Sequence, residues 1–269
     1  MAEEHPFAPR PHPPGRRLHD RYALVTGAGR GFGKHIALGL AREGAHVAVH
    51  YNTSAAGAER TAAEIRALGR EALAVQADLT RWDEIKRLAE QVFGAFGRLD
   101  VLVNNTGAVA HEQLSWRELS EPLIDRVLAV DVKGTLLTTH EVGSRMLEQQ
   151  EGVIVNVCSN VVVTGSPRAP QYAASKYGVI GVTKSYAHAF APYVRVNALG
   201  PGFIETERTV TRADWTPERK AELLARTPLR RIPPPEHLVP TVLFLASDDS
   251  NHMTGNFVLC DGGFSMVGA

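Results

Sequence analysis

The run Tyr22-Ala-Leu-Val-Thr26 followed by Gly27-Ala-Gly29-Arg30-Gly31-Phe32-Gly33 decides the fold. Its first five residues are apolar and β-branched enough for a buried strand, and a helical stretch begins directly after its last glycine. Strict G-x-G-x-x-G spacing fails, because Phe32 falls where the third glycine would stand; the pattern is T-G-x-x-x-G-x-G. Glycines let a backbone turn sharply and approach a pyrophosphate, whose charge a helix N-terminus stabilises. Loops and close packing use glycine too, so the position between strand and helix is what favours a nucleotide site.

Outward from this turn, β-rich runs alternate with helical segments. After Tyr22–Thr26 come His46–His50, Leu73–Gln76, Asp100–Asn104, Val153–Val157, Val194–Ala198 and Asn256–Cys260. Near-continuous Val, Leu and Ile runs of this length suit strands covered on both faces. Between them, Ile36, Ala37, Leu40 and Ala41 mark one face of a helix that stops near Gly44. Another spans Ala55 to Leu68 with Gly69 as its C-cap. Alternating β and α elements with right-handed crossovers predict an α/β fold: a doubly wound, Rossmann-type parallel sheet of about seven strands with helices on both faces. Ligands in such sheets bind beyond the carboxyl ends of the strands, where strand order reverses. No repeat or linker divides the chain, so residues 21–269 are expected to form one domain. Residues 1–20, with Pro6, Pro9, Pro11, Pro13 and Pro14, are expected to be a disordered or extended tail, or an arm reaching a neighbouring subunit.

Composition narrows the function classes. With 29 Lys plus Arg against 29 Asp plus Glu, no basic field recruits nucleic acid or an anionic membrane. No segment reads as a signal peptide or a membrane span. Two cysteines, Cys158 and Cys260, are too few for a disulfide framework, and the eleven histidines form no H-x-x-x-H or His/Cys cluster, so no metal is implied. A reducing compartment, the cytoplasm, fits that usage.

Several motifs in order resemble the short-chain dehydrogenase/reductase family, in its compact single-domain branch. They are the glycine motif Thr26–Gly33 and Asn104-Asn105-Thr106-Gly107, similar to N-N-A-G with Thr106 for alanine. A serine at Ser159, a Y-x-x-x-K pair at Tyr172 and Lys176, the turn Pro201-Gly202 and the ending Asp261-Gly262-Gly263 follow. The resemblance covers roughly Tyr22 to the C-terminus and implies hydride exchange between a nicotinamide cofactor and an alcohol/carbonyl pair. Tyr172 and Lys176, four apart, share one helix face. An unperturbed tyrosine has a pKa of about 10, and a neighbouring ammonium favours its phenolate. Tyr172 is therefore expected to be the acid/base, and Lys176 to lower its pKa and hold a ribose hydroxyl. Ser159, whose hydroxyl both donates and accepts, would orient the substrate oxygen. The pair's spacing resembles that of carbonyl reductases and differs from the wider spacing of enoyl-reducing members.

Asp131 stands where the family usually has an asparagine, a fourth catalytic position whose backbone carbonyl helps hold a water. A backbone role survives the substitution, and Asp131→Asn is expected to preserve or raise turnover. A carboxylate there could also pair with Lys176. Cys158, beside Ser159 on an alternating strand, should point away from it as inert packing, with a redox sensor as the alternative.

The second strand ends in His50-Tyr51-Asn52-Thr53-Ser54, without the carboxylate that binds the ribose diol of NAD. Arg30 resembles the basic residue that NADP-preferring relatives set against the 2′-phosphate, or is a solvated side chain. NADP(H) is thus expected over NAD(H), and reduction as the physiological direction. By resemblance, the cofactor set comprises Gly27, Gly29, Arg30, Gly31, Phe32, Gly33, Tyr51, Asn52, Thr53, Ser54, Asp78, Leu79, Asn105, Thr106, Gly107, Tyr172, Lys176, Pro201, Gly202, Ile204 and Thr206. Asp78 is similar to the family's adenine-contacting aspartate, and Thr206 to its carboxamide contact.

Phe203 to Thr227, with Glu205, Glu207, Arg208, Arg212 and Trp215, is expected to cover the substrate, with Ala110, His111 and Glu112 on another side. The general resemblance is to 3-oxoacyl-carrier-protein reductases and to sugar or polyol dehydrogenases. It points to a small or carrier-tethered ketone, and to a homo-oligomer, tetramer or dimer. Two competing classes are a nicotinamide-binding sensor that has lost chemistry and a sugar-nucleotide epimerase or dehydratase. The sensor would typically lack Tyr172 or Lys176; the epimerase expects a further substrate domain.

Overall fold

Alternate side chains of the central strands enter opposite cores. Val25, Val47, Val49, Val101 and Val103 face one buried cluster, and Leu24, Ala48, Val75, Leu102 and Ile154 face the other. Two-sided burial is what the apolar runs specify, since period-2 alternation puts successive residues on opposite faces. Each large side chain so buried contributes roughly 1.5–3 kcal/mol.

The computed structural model describes residues 17–108 and 115–266. Its strands are β1 (Tyr22–Val25), β2 (His46–Tyr51), β3 (Ala72–Gln76), β4 (Val101–Asn104), β5 (Gly152–Val157), β6 (Val194–Pro201) and β7 (Phe257–Cys260). They form one seven-stranded sheet in the order β3-β2-β1-β4-β5-β6-β7, with every neighbouring pair parallel. The order reverses between β1 and β4, and that crevice receives the glycine turn on one side and Asn104–Gly107 on the other.

The helices are α1 (Gly31–Arg42), α2 (Ala55–Ala67), α3 (Trp82–Phe96), α4 (Glu121–Leu128), α5 (Gly134–Glu148), α6 (Val161–Thr164), α7 (Pro170–Ala189), α8 (Glu207–Val210), α9 (Pro217–Arg226) and α10 (Val239–Ala246). The predicted face of α1, Ile36, Ala37, Leu40 and Ala41, is fully packed, sharing its core with Val239, Val242 and Leu243 of α10. α2 closes one residue earlier than its predicted end, with Gly69 just beyond. α1 starts at Gly31, inside the glycine motif rather than after it. α4 runs into α5 through a wide π turn at Ala129–Lys133, which the sequence pattern does not announce. Among the described residues no helix is long and apolar enough to cross a membrane.

The last four residues of the expected tail are ordered against the domain. Arg17–Asp20 already form a turn: Leu18 is 2% exposed in the first core, and the amides of Leu18 and Asp20 donate to the carbonyls of Glu43 and Gly44 at 3.1 Å. Leu18 is the apolar residue that anchors this entry to the fold. Residues 1–16 lie outside the described residues.

Candidate active site

The glycine turn is held from behind. Thr26 Oγ1 accepts the amides of Asn105 at 2.9 Å and Thr106 at 3.0 Å, and Asn105 Nδ2 donates to the Thr26 carbonyl at 2.9 Å. The turn and the Asn104–Gly107 segment are thus one braced unit. A Cβ on Gly33 would lie 2.4 Å from the Gly27 carbonyl oxygen, so only glycine allows the helix to start this close to the turn. Gly27 itself has φ +65. Around Gly31 the space is open, and Gly29 packs against Ser54, just ahead of α2, and Ala58 in its first turn. α1 has no side-chain cap and no acidic residue in its first turn, so the amide ends of Gly31, Phe32 and Gly33 are left for an external anion. The hydroxyl of Thr106, buried beside Gly27, has no hydrogen-bond partner among the described residues. A dinucleotide pyrophosphate fits this donor set and this glycine-lined space.

The remaining cofactor candidates fall around the same crevice. Arg30 is exposed at the N-cap of α1; Asn52 and Thr53 are exposed and Ser54 half-buried just after β2. The Tyr51 carbonyl accepts the Ala77 amide at 3.0 Å, tying β2 to the segment that carries Asp78. Asp78 Oδ1 accepts both the amide and hydroxyl of Thr80, at 2.9 and 2.8 Å. The side chains of Phe32 and Leu79 lie in the two cores, 9% and 5% exposed, which leaves their main chains to serve a ligand. Pro201 ends β6, and a Cβ on Gly202 would lie 2.7 Å from Asp261 Cβ. Ile204 packs at the edge of the first core. Thr206 Oγ1 caps α8, accepting the Thr209 amide at 3.1 Å.

The four catalytic candidates converge from three elements. Ser159 follows β5, Tyr172 and Lys176 lie in the first two turns of α7, and Asp131 projects from the π turn. A buried polar ladder positions them: Asn104 Nδ2 donates to Asn156 Oδ1 at 2.9 Å and to Thr139 Oγ1 at 3.0 Å, and Asn156 Nδ2 donates to Thr183 Oγ1 at 3.0 Å. This fastens the ends of β4 and β5 to α5 and α7. The Ser159 hydroxyl stands close enough to the Tyr172 phenol to help lower it against burial. Lys176 Nζ lies 5.6 Å from the Tyr172 ring centre and donates to the Val157 carbonyl at 3.3 Å. Its second partner is Asp131, with Oδ2 at 3.6 Å. Asp131 is fully buried; Oδ1 accepts the Ala108 amide at 2.5 Å and Oδ2 accepts the Ser175 hydroxyl at 2.8 Å. Gly107 faces both, a Cβ there lying 3.4 Å from Lys176 Nζ and 3.5 Å from Asp131 Oδ1.

Electrostatics set the protonation states. Burial pushes the Tyr172 phenol above its ordinary value; the Lys176 ammonium opposes this and Asp131 reinforces it. Burial alone would pull the Lys176 ammonium down, but Asp131, with help from Tyr172, outweighs it and holds it above the usual lysine range. The resting site therefore holds a protonated phenol beside a buried Lys–Asp ion pair. Cys158 donates to the Lys176 carbonyl at 3.3 Å, away from the cleft, and burial raises its thiol to about 11. That is inert packing, as the alternation predicts.

The geometry meets its relatives here. The profile of the short chain dehydrogenase family matches residues 21–217. The chain belongs to this family. It is an NAD(P)-dependent oxidoreductase acting on a CH–OH/C=O group. Over 248 residues it is 40% identical to a 3-oxoacyl-[acyl-carrier-protein] reductase of Staphylococcus epidermidis, covering 92% of this chain and all of that one. A Thermotoga maritima protein of the same name is 40% identical over 249 residues, covering 92% of this chain and 98% of its own. Among crystal structures, a Sinorhizobium meliloti protein assigned to the short-chain alcohol dehydrogenases superposes with a TM-score of 0.87 at 34% identity, covering 93% of this chain and 98% of that one. An Agrobacterium tumefaciens protein assigned as a gluconate dehydrogenase gives 0.87 at 31% identity, covering 94% and 99%.

Within this short-chain dehydrogenase, the expected substrate cover is Phe203–Thr227, which carries only the short helices α8 and α9. Arg168, ahead of α7, donates to Asp214 Oδ2 at 2.8 Å, and Arg212 grips the same carboxylate with two 2.8 Å bonds. Asp214 is held down at about 2 by Arg212 first and Arg168 with it. Lys220 pairs with Glu205 at 2.5 Å, and Trp215 is half-buried. Ala110, His111 and Glu112 lie outside the described residues. Residue patterns missed three participants: His50 behind the glycine turn, Ser175 and the Ala108 amide on Asp131. Only Ser175 left a trace, as the neighbour of Lys176 in the Y-x-x-x-K run.

Proposed function

We propose that the enzyme reduces a ketone to a secondary alcohol with NADPH, Tyr172 acting as the proton donor. The observation that carries this is the placing of the buried Lys176 ammonium 5.6 Å from the Tyr172 ring, where it is anchored by Asp131 and the Val157 carbonyl, with Ser159 just past the end of β5 beside them. Bound against the glycine turn, the nicotinamide dinucleotide supplies the hydride. Ser159 holds the carbonyl oxygen against the Tyr172 hydroxyl, and that hydroxyl gives up its proton as negative charge grows on the oxygen. Lys176 stabilises the phenolate so formed, which without a neighbouring cation would stand in a buried environment. Asp131 keeps that lysine charged. Burial keeps the phenol in its protonated form at neutral pH, the form that a reduction draws on, and reduction is the direction assigned here.

Arg30, exposed at the turn without an ion-pair partner among the described residues, and the uncharged Asn52, Thr53 and Ser54 support recognition of a 2′-phosphate. The named staphylococcal and Thermotoga relatives act on 3-oxoacyl groups tethered to a carrier, and such thioesters head the substrate classes to try. Exposed Leu128, Leu136 and Tyr177 on α4, α5 and α7 favour a homo-oligomer, dimer or tetramer, and we place the enzyme in the cytoplasm.

The test is cofactor oxidation over ketones, 3-oxoacyl thioesters, quinones and sugars. NADPH should be preferred to NADH, and Arg30→Ala should erode that preference by about tenfold. Equal use of NADH by the parent enzyme would remove the NADP assignment.

A further inference from the structure

The buried imidazole of His50 stands outside the chemistry described above, yet it bridges the glycine turn and the end of β3. It is the penultimate residue of β2, 1% exposed, just before Tyr51. Its Nδ1 accepts the Gly27 amide at 3.0 Å, and its own carbonyl accepts the Ala28 amide at 2.9 Å. The other ring nitrogen, Nε2, lies 3.0 Å from the Ala77 carbonyl, next to Asp78. Because an amide can only donate and a carbonyl only accept, the tautomer is fixed: Nδ1 bears the lone pair and Nε2 the proton. A doubly protonated ring would aim an N–H at the Gly27 N–H. Burial lowers the ring to about 4, the bond to Ala77 and the charge of Asp78 opposing this, so the accepting nitrogen is present throughout neutral pH.

We propose that His50 is a positioning residue for cofactor binding, stapling the first two amides of the glycine turn to the ends of β2 and β3. This inference rests on the dinucleotide reading above and adds a residue to it. With Gly27 and Ala28 satisfied from behind, the turn cannot spend those amides elsewhere, and the amides from Gly31 onward stay directed outward for a pyrophosphate. Without the ring nitrogen, the Gly27 N–H becomes a buried orphan, and the left-handed conformation at Gly27 (φ +65) loses one restraint.

Three substitutions separate the two ring contacts. His50→Asn places an acceptor near Nδ1 and keeps the staple to Gly27. His50→Gln reaches the Nε2 position and keeps only the bond to Ala77. His50→Leu loses both. Titration of NADPH by fluorescence, with KM for NADPH and kcat at a saturating ketone, reads the outcome. The asparagine variant should bind within about threefold of the parent, while the glutamine and leucine variants should weaken NADPH by about tenfold or more, with kcat kept within about threefold. If the leucine variant does not fold, the glutamine variant carries the comparison alone. Parental affinity in the glutamine variant overturns the proposal, as does a loss of kcat equal to the loss of affinity. A parent enzyme that binds neither NADPH nor NADH would instead overturn the dinucleotide reading, and this inference with it.

Discussion

The two walls of the cleft are built from different materials. On the catalytic wall, Asp131, Ser159 and Lys176 are each less than 9% exposed, and Asp131 and Lys176 are held by several partners apiece. The expected substrate cover, Phe203–Thr227, is exposed or half-buried at every position but Leu223 and Thr227, rests on two short helices and is tied down by ion pairs reached by water. Exposed pairs of that kind are worth about 0–1 kcal/mol each, whereas breaking one partner of a buried pair costs about 3–5. The proposed reacting groups thus stand on a wall that cannot shift without large loss, while the segment expected to cover the substrate can adjust cheaply. Elements that move in ligand binding come from the low-stability end of a fold.

The sharpest way to break this contrast is to unpair the catalytic wall. Lys176→Met should lower turnover by about a hundredfold or more and melt early, because Asp131 keeps a buried charge without its partner. Adding Asp131→Asn should recover the melting temperature and leave turnover low, separating the structural part of the pair from the chemical one. Next in size is Gly33→Ala, whose Cβ would meet the Gly27 carbonyl oxygen at 2.4 Å. It should cost about 1–3 kcal/mol in stability and raise the KM for NADPH by about tenfold or more.

Asp131→Asn alone should leave turnover within a few fold, measured by the same assay. Its signature is in the pH profile. Asp131 is one of the groups that raise Tyr172, so its neutralisation lowers the phenol. Alcohol oxidation, which needs the phenolate, should therefore reach its plateau at lower pH in the variant. Smallest is Asp214→Asn on the covering wall, expected to change the KM for ketone by about two- to threefold with kcat unchanged. In the parent, Asp214 titrates at about 2 against the usual 3.8, so this tie is complete above 3.8 and is lost only as pH falls toward 2.

The same contrast governs what the chain's letters reveal. Two-sided apolar runs made the sheet legible, and the glycines and the Tyr172–Lys176 spacing made the crevice and reacting pair legible, because each demands a residue type that few others can replace. Asp131 was visible as a departure, but its burial, its grip on the Ala108 amide and its pairing with Lys176 depend on a π turn whose wider bonding leaves no sequence period. His50 read as an ordinary strand residue, since its partners are backbone atoms 23 and 27 positions away. Leu18 was hidden inside a proline-rich stretch whose composition outweighed one apolar side chain. On the covering wall, Arg168 and Asp214 lie 46 residues apart, and charges at a surface carry no period that would pair them.

The most direct test of a reductase built around a protonated Tyr172 is Tyr172→Phe, assayed for NADPH-linked reduction of a 3-oxoacyl thioester or whichever ketone the parent enzyme prefers. Loss of the hydroxyl should remove about a thousandfold or more of the turnover while NADPH still binds near its parental affinity. Turnover within tenfold of the parent would contradict the account, placing the proton donor on another group.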